Sequence, residues 1–161
     1  EAPIVIAGLS DACGSWKTIC SRRRSVAEIA AMDPDELATI FATPPALHRF
    51  PRANAKRVQE LCQIVVEQYK GKAARVWSTA PDGAELYRRV KALPGFGEQK
   101  ARIFTALLAK RVGVIPPGWE DVAGPYARVG HYSVADIDGP EALAAVREHK
   151  KAMKAAAKAA K

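Results

Sequence analysis

The sequence predicts an all-α protein, and three observations carry that prediction. Apolar residues recur at intervals of three and four along most of the chain, while almost nothing alternates as a strand would. Residues that open helices (Ser25, Asp33, Pro34, Pro51, Pro140) stand just ahead of those runs. Residues that break them, at Pro44-Pro45, Gly71 and Gly113, stand just behind.

Taken in order, residues 1–24 show neither a helical nor a strand period. Their Arg22-Arg23-Arg24 triplet reads as a solvated charge run or as a contact to DNA. From Ser25 the signals sharpen. Ser25, with Glu28 three residues on, forms a capping box for a short helix from Val26 to Ala31. Asp33 caps the next helix, with Pro34 first and Glu36 third; it carries Leu37, Ile40 and Phe41 and ends before Pro44-Pro45. Leu47-His48-Arg49-Phe50 is a connection. His48 has no ligand-type residue three or four positions on, so it reads as a loop or packing histidine. Pro51 opens a helix over Arg52 to Tyr69, closed by Gly71. Val58, Leu61, Cys62, Val65, Val66 and Tyr69 form its apolar face, which puts Cys62 in the core, and Arg52, Lys56 and Arg57 crowd its first half.

A short helix around Ala73 to Trp77 comes next, then a turn at Pro81-Asp82-Gly83. Ala84 to Leu93 is helical with Leu86, Tyr87, Val90 and Leu93 inward. The following helix starts near Glu98, carries Ala101, Phe104, Leu107, Leu108 and Val112 on one face, and ends at Gly113. Pro116-Pro117 excludes helix from 114–118. Trp119 to Ala123 fits a turn or two, Gly124-Pro125 breaks the chain again, and Ser133 to Asp136 reads as a short turn. Pro140 starts a long terminal helix with Leu143 and Val146 on one side. The last twelve positions, Lys150 to Lys161, combine strong helix formers with five lysines and no acid. They carry too little apolar surface to pack, so a frayed cationic tail is expected, either lying on DNA or acting only to solubilise. The division expected is a poorly assigned segment 1–24, a helical domain 25–146 and a basic tail 147–161.

Composition narrows the function classes. At 161 residues and 48% apolar, the chain can bury a working core. No run approaches the ~18 uninterrupted apolar residues of a transmembrane helix. Ile4 to Leu9 is too short and lacks a basic flank for a signal peptide, so none is expected, and the start at Glu1 without Met makes a fragment the expectation. Cys13, Cys20 and Cys62 are odd in number and lack metal-finger spacing, which fits reduced thiols in the cytoplasm. No metal site and no cofactor are expected. A net charge of +8 favours a polyanionic partner, although mildly basic cytosolic proteins are common.

The most informative stretch is Leu93-Pro94-Gly95-Phe96-Gly97-Glu98-Gln99-Lys100-Ala101. Gly95 and Gly97 can turn the chain within a few residues and let another surface approach the backbone closely. Free N–H groups at the turn and at the next helix's first turn, with the helix dipole behind them, suit a phosphate. Lys100 and Arg102 add full charges. A glycine pair by itself fits many structural turns equally well.

The whole string Leu-Pro-Gly-Phe-Gly-x-x-x-Ala resembles the hairpin of helix-hairpin-helix DNA-binding motifs, and the likeness extends upstream. Arg52-Ala53-Asn54-Ala55-Lys56-Arg57-Val58, Leu61-Cys62 and Glu67-Gln68-Tyr69-Lys70-Gly71 resemble the preceding helix of the endonuclease III-like DNA glycosylases, the HhH-GPD superfamily. The resemblance covers Ser25 to Gly113 and looks closest to small base-excision-repair members from high-GC bacteria. It implies a helical bundle that grips damaged or mismatched duplex DNA through Gly95, Phe96, Gly97, Gln99, Lys100 and Arg102, with Arg52 and Lys56 adding charge. It also implies a monomer working at the nucleoid that flips out a base and cuts its glycosidic bond, a carboxylate steadying the sugar cation.

Three departures from the family stand in the sequence. The position of the Schiff-base lysine of bifunctional members is Gln99, so a monofunctional glycosylase without a lyase step is expected. No carboxylate stands where the family's catalytic aspartate follows the hairpin; Glu120 and Asp121 are the nearest candidates after a local shift, and Asp121 reads somewhat better as an ordinary surface carboxylate. The family's N-terminal helix has no counterpart in 1–24, as a truncated or frame-disturbed start would leave it. The iron–sulfur loop of some members is absent, since no cysteine follows Cys62. A catalytically inactive DNA-binding module and a purely structural helical interaction protein are the competing readings.

Overall fold

A computed structural model describes residues 24–159; the segment 1–23, with Cys13, Cys20, Arg22 and Arg23, and the last two residues lie outside the described part. Among the described residues there are helices and turns and no strand. Packing divides the chain into two units, one ending at Lys72 and one beginning at Ala73.

The first unit holds α1 (Val26–Ala31), α2 (Pro34–Ala42) and α3 (Pro51–Tyr69). The Ser25–Glu28 capping box forms at the start of α1, and the Asp33 carboxylate accepts from the Asp35 and Glu36 N–H groups at the start of α2. These side chains satisfy donors that a helix start leaves without partners. Leu37, Ala38, Phe41 and Ala55 form the core here, with Ile29, Met32, Leu47 and Val58 packed around it. The buried stripe of α3 is Ala55, Gln59, Cys62 and Val65. Gln59 is a buried polar group that hydrophobic periodicity does not reveal. Its amide donates to the Met32 carbonyl at 2.6 Å, which ties α3 to the end of α1. Burial pushes the Cys62 thiol above its ordinary pKa, as desolvation of a thiolate does.

The second unit holds α4 (Arg75–Ser78), α5 (Gly83–Lys91), α6 (Glu98–Leu107), α7 (Trp119–Ala123) and α8 (Pro140–Ala159). α5 and α6 pack against each other and both against α7. Leu86 and Val90 of α5 are fully buried, and Ala106, Ala109, Trp119, Ala123 and Ala135 form a second core cluster. Gly83 is what lets α5 meet α7. A Cβ there would stand 2.5 Å from the Trp119 Cα and 2.6 Å from its N, and the Gly83 N–H donates to the Pro117 carbonyl at 2.8 Å.

After Leu107 the helix widens into a π turn over Leu108–Val112 before Gly113 ends it in a left-handed conformation. The wider turn shifts the phase of every residue beyond it. Val112 is therefore exposed rather than on the apolar face its spacing predicts. The terminal helix runs unbroken to Ala159, so the Lys/Ala stretch is helical where a frayed segment was expected. No helix among the described residues is long and apolar enough to cross a membrane.

Candidate nucleic-acid interface

The turn between α5 and α6 is built from both sides. Asp82 caps α5, and the helix carries Glu85 early and Arg88, Arg89 and Lys91 late, the charge order its dipole favours. Arg89 is half-buried and braces α5 against α4. Its Nε donates to Glu85 Oε1 at 2.7 Å, and Nη1 reaches the Val76 carbonyl at 3.3 Å and the Thr79 hydroxyl at 2.8 Å. Arg88 completes a clamp on Glu85, with two bonds of 2.7 and 2.8 Å. Hydrogen bonds from Arg88 and then Arg89 hold the Glu85 carboxyl at a pKa of about 2.

Past Leu93, Gly95 adopts φ 83°, the left-handed conformation that the sequence anticipates for a glycine. Gly97 does not: its φ is −83° and ψ 175°, ordinary extended backbone. Among the described residues, a Cβ at Gly97 would meet nothing within 4 Å. Phe96 is half-buried and meets Phe104 edge to face at 5.4 Å, which fastens the turn onto α6. The first backbone bond of α6 runs from the Ala101 N–H to the Gly97 carbonyl. No side chain caps the helix. The N–H groups of Glu98, Gln99 and Lys100 therefore have no acceptor within α6 and open to the surface with the positive end of the dipole.

Lys100 is exposed, and its ammonium donates to the Gly95 carbonyl at 3.0 Å, which draws the charge onto the turn. Arg102 is half-buried and bonded to Glu98 at 2.7 Å. The Gln99 amide donates to the Tyr126 hydroxyl at 3.1 Å, a contact across 27 residues that no local signal announces. The position thus carries a neutral amide held by a phenol, with no amine.

Glu120 and Asp121 are both exposed on α7, a helix of five residues. Its start is held beside Gly83, at the end of α5 remote from the turn, by the Gly83–Pro117 bond. Beyond its end, the Cβ position of Gly124 lies 3.7 Å from Arg102, and Tyr126 reaches Gln99. The two carboxylates lie between these anchors, and Asp121 Oδ2 is 4.0 Å from the Cβ position of Gly118.

Arg52 and Lys56 belong to the first unit. Both are exposed on α3 and pair loosely with Asp35 at 3.1 Å and Glu60 at 3.9 Å. Such pairs hold about 0–1 kcal/mol and exchange readily for another anion. Among the described residues no group of His, Cys, Asp and Glu could hold a metal ion.

Comparison of the chain with protein-family models, curated proteins and solved structures finds no match in any of the three.

Proposed function

We propose that this protein binds the backbone of duplex DNA through the turn between α5 and α6, as a helix-hairpin-helix protein of the base-excision-repair glycosylase type. One observation carries the reading. Gly97 needs no glycine for its own conformation and has no neighbour a side chain would strike, yet it stands at the uncapped start of α6. What its missing Cβ leaves room for lies outside the described residues. A phosphate fits that opening by charge and by hydrogen bonding, and Lys100 stands beside it. The residue string resembling the HhH-GPD hairpin supplies the family reading, and duplex DNA at the nucleoid is then the partner.

In that reading the protein acts on a flipped-out base as a monofunctional DNA N-glycosylase, because Gln99 cannot form an imine. Asp121 or Glu120 is the carboxylate that steadies the sugar cation. A second reading, a DNA-binding module without catalysis, draws support from the exposure of both carboxylates on a short helix.

The test is Gly97→Asp. Aspartate is a good helix N-cap, so the substitution favours α6 while setting a negative charge where the phosphate sits. Gel-shift titration should show at least a tenfold loss of duplex affinity, ~1.4 kcal/mol, with helical circular dichroism retained. Undiminished affinity in a folded variant removes the phosphate site.

A further inference from the structure

Among the described residues, the terminal helix α8 is anchored over its first half alone. Ala142 and Val146 are buried, and His149 meets Tyr132 edge to face at 5.1 Å. Every residue from Lys150 to Ala159 is exposed, yet the helix runs on. Its charges are not scattered. At ~100° per residue, Arg147, Lys150, Lys151, Lys154 and Lys158 fall within an arc of about 100°. They form one line about 16 Å long at ~1.5 Å per residue. The opposite face holds Ala152, Ala156 and Ala159. The acid nearest to the stripe on this helix, Glu148, reaches Lys151 at 4.0 Å between exposed side chains.

Neither helix stability nor solubility accounts for this alignment. Like charges four apart (Arg147 with Lys151, Lys150 with Lys154, Lys154 with Lys158) repel and disfavour the helix. Spreading the same lysines around the helix would solubilise equally well without that repulsion. A polyanion laid along the stripe relieves it. A bilayer is a poor candidate, because a helix on a membrane buries several large apolar side chains opposite its cations, and here that half is alanine apart from the exposed Met153 at its edge.

We infer that the exposed half of α8 is a one-faced rail for the phosphate backbone of nucleic acid, in which the helical phase of the lysines matters as well as their number. The inference rests on the nucleic-acid reading above and adds a second contact remote in sequence from the α5–α6 turn. Phosphate contacts release counterions and give no sequence preference, so the rail contributes affinity and salt dependence rather than specificity.

The experiment uses the full chain and a short labelled random-sequence duplex. A phase-swap variant combines Lys151→Ala with Ala152→Lys, Lys154→Ala with Ala156→Lys, and Lys158→Ala with Ala159→Lys. Composition and net charge stay the same while most of the stripe moves to the far face. The variant should bind about tenfold more weakly, with a slope of log K against log salt flatter by about two to three units, each phosphate contributing roughly 0.9. Equal affinity and slope, with helicity unchanged by circular dichroism, overturns the rail. The double variant Lys154→Ala with Lys158→Ala cannot fail through helix propensity, since alanine is the best helix former. It should flatten the slope by about two, and an unchanged slope overturns the rail as well. Phosphatidylserine vesicles bound by the native protein as tightly as the duplex would overturn the choice of nucleic acid. Gly97→Asp, run alongside, separates the two sites. A loss there with none in the phase swap leaves the turn standing and removes the rail; the reverse pattern does the opposite.

Discussion

Two glycines show how one residue type answers to different physics. Gly83 is an internal requirement, since its missing Cβ is the space occupied by the Trp119 backbone. Gly97 has no internal requirement, and its missing Cβ faces open space. The two substitutions to alanine should therefore separate cleanly. Gly83→Ala forces α5 and α7 apart, and backbone atoms cannot rotate away as a flexible side chain would; overpacking of this kind costs about 1–3 kcal/mol or more. Gly97→Ala changes only a cap preference, under about 1 kcal/mol. Thermal melting followed at 222 nm is the measurement, and comparable melting temperatures for the two variants would contradict the packing account. Trp119 adds a second residue-scale oddity, because its indole N–H is buried without an acceptor among the described residues. Its ring fills the core cluster with Ala106, Ala109, Ala123 and Ala135, so the position serves packing rather than hydrogen bonding.

Between elements, charge clamps do what a thin core cannot. Glu85, Arg88 and Arg89 lock α5, and Arg89 carries the lock to the carbonyl of Val76 and the hydroxyl of Thr79. Lys110 ties the π turn to the Arg128 carbonyl at 2.6 Å and to Asp136, whose other oxygen accepts from the Tyr132 and Ser133 N–H groups. The Glu85 clamp has a pH signature. Its folded pKa is depressed from an ordinary 4.5 to about 2, so its contribution is complete above the unfolded value and is lost as pH falls through this window. Glu85→Gln should flatten the decline of unfolding free energy between those pH values, measured by urea titration at successive pH; parallel profiles for both proteins would refute the clamp. Elements of this kind divide sharply in how far the sequence reveals them. The starts of α1, α2 and α3 are legible because Ser25 and Asp33 accept from donors within a few residues and Pro51 presets the first helical φ. The buried role of Gln59 is not, because its partner Met32 lies 27 residues away. Val112 misleads because a helical stripe assumes α geometry, and the π turn breaks that phase. In the candidate site, the glycine turn and Lys100 are local and readable, whereas the Gln99–Tyr126 bond exists only once the chain has folded back.

At the scale of the whole molecule, the question is whether the proposed DNA binding is coupled to chemistry. The surface that suits a phosphate and the residues that would cut a glycosidic bond make separate demands. Holding DNA needs exposed donors and cations, which α6 and α8 supply. Stabilising a sugar cation needs a carboxylate facing the flipped nucleotide, and past Glu98, which is paired with Arg102, Glu120 and Asp121 are the next carboxylates in sequence after the turn. The decisive assay incubates the full chain with duplexes carrying uracil, oxidised or alkylated bases, or mismatches. An active protein should release the base and leave an abasic site. Borohydride should trap no covalent adduct, because Gln99 offers an amide where an imine needs an amine; an adduct that depends on Lys100 would overturn that assignment. Asp121→Asn keeps the shape and removes the charge. It should therefore lose most of the rate, on the order of a hundredfold or more for a group stabilising transition-state charge, while the duplex affinity stays unchanged. Glu120→Gln is the matched control, and the variant that loses rate without losing affinity identifies the carboxylate. If neither does, and no duplex in the panel reacts although the chain binds it in gel shift, the reading of a DNA-binding module without catalysis stands.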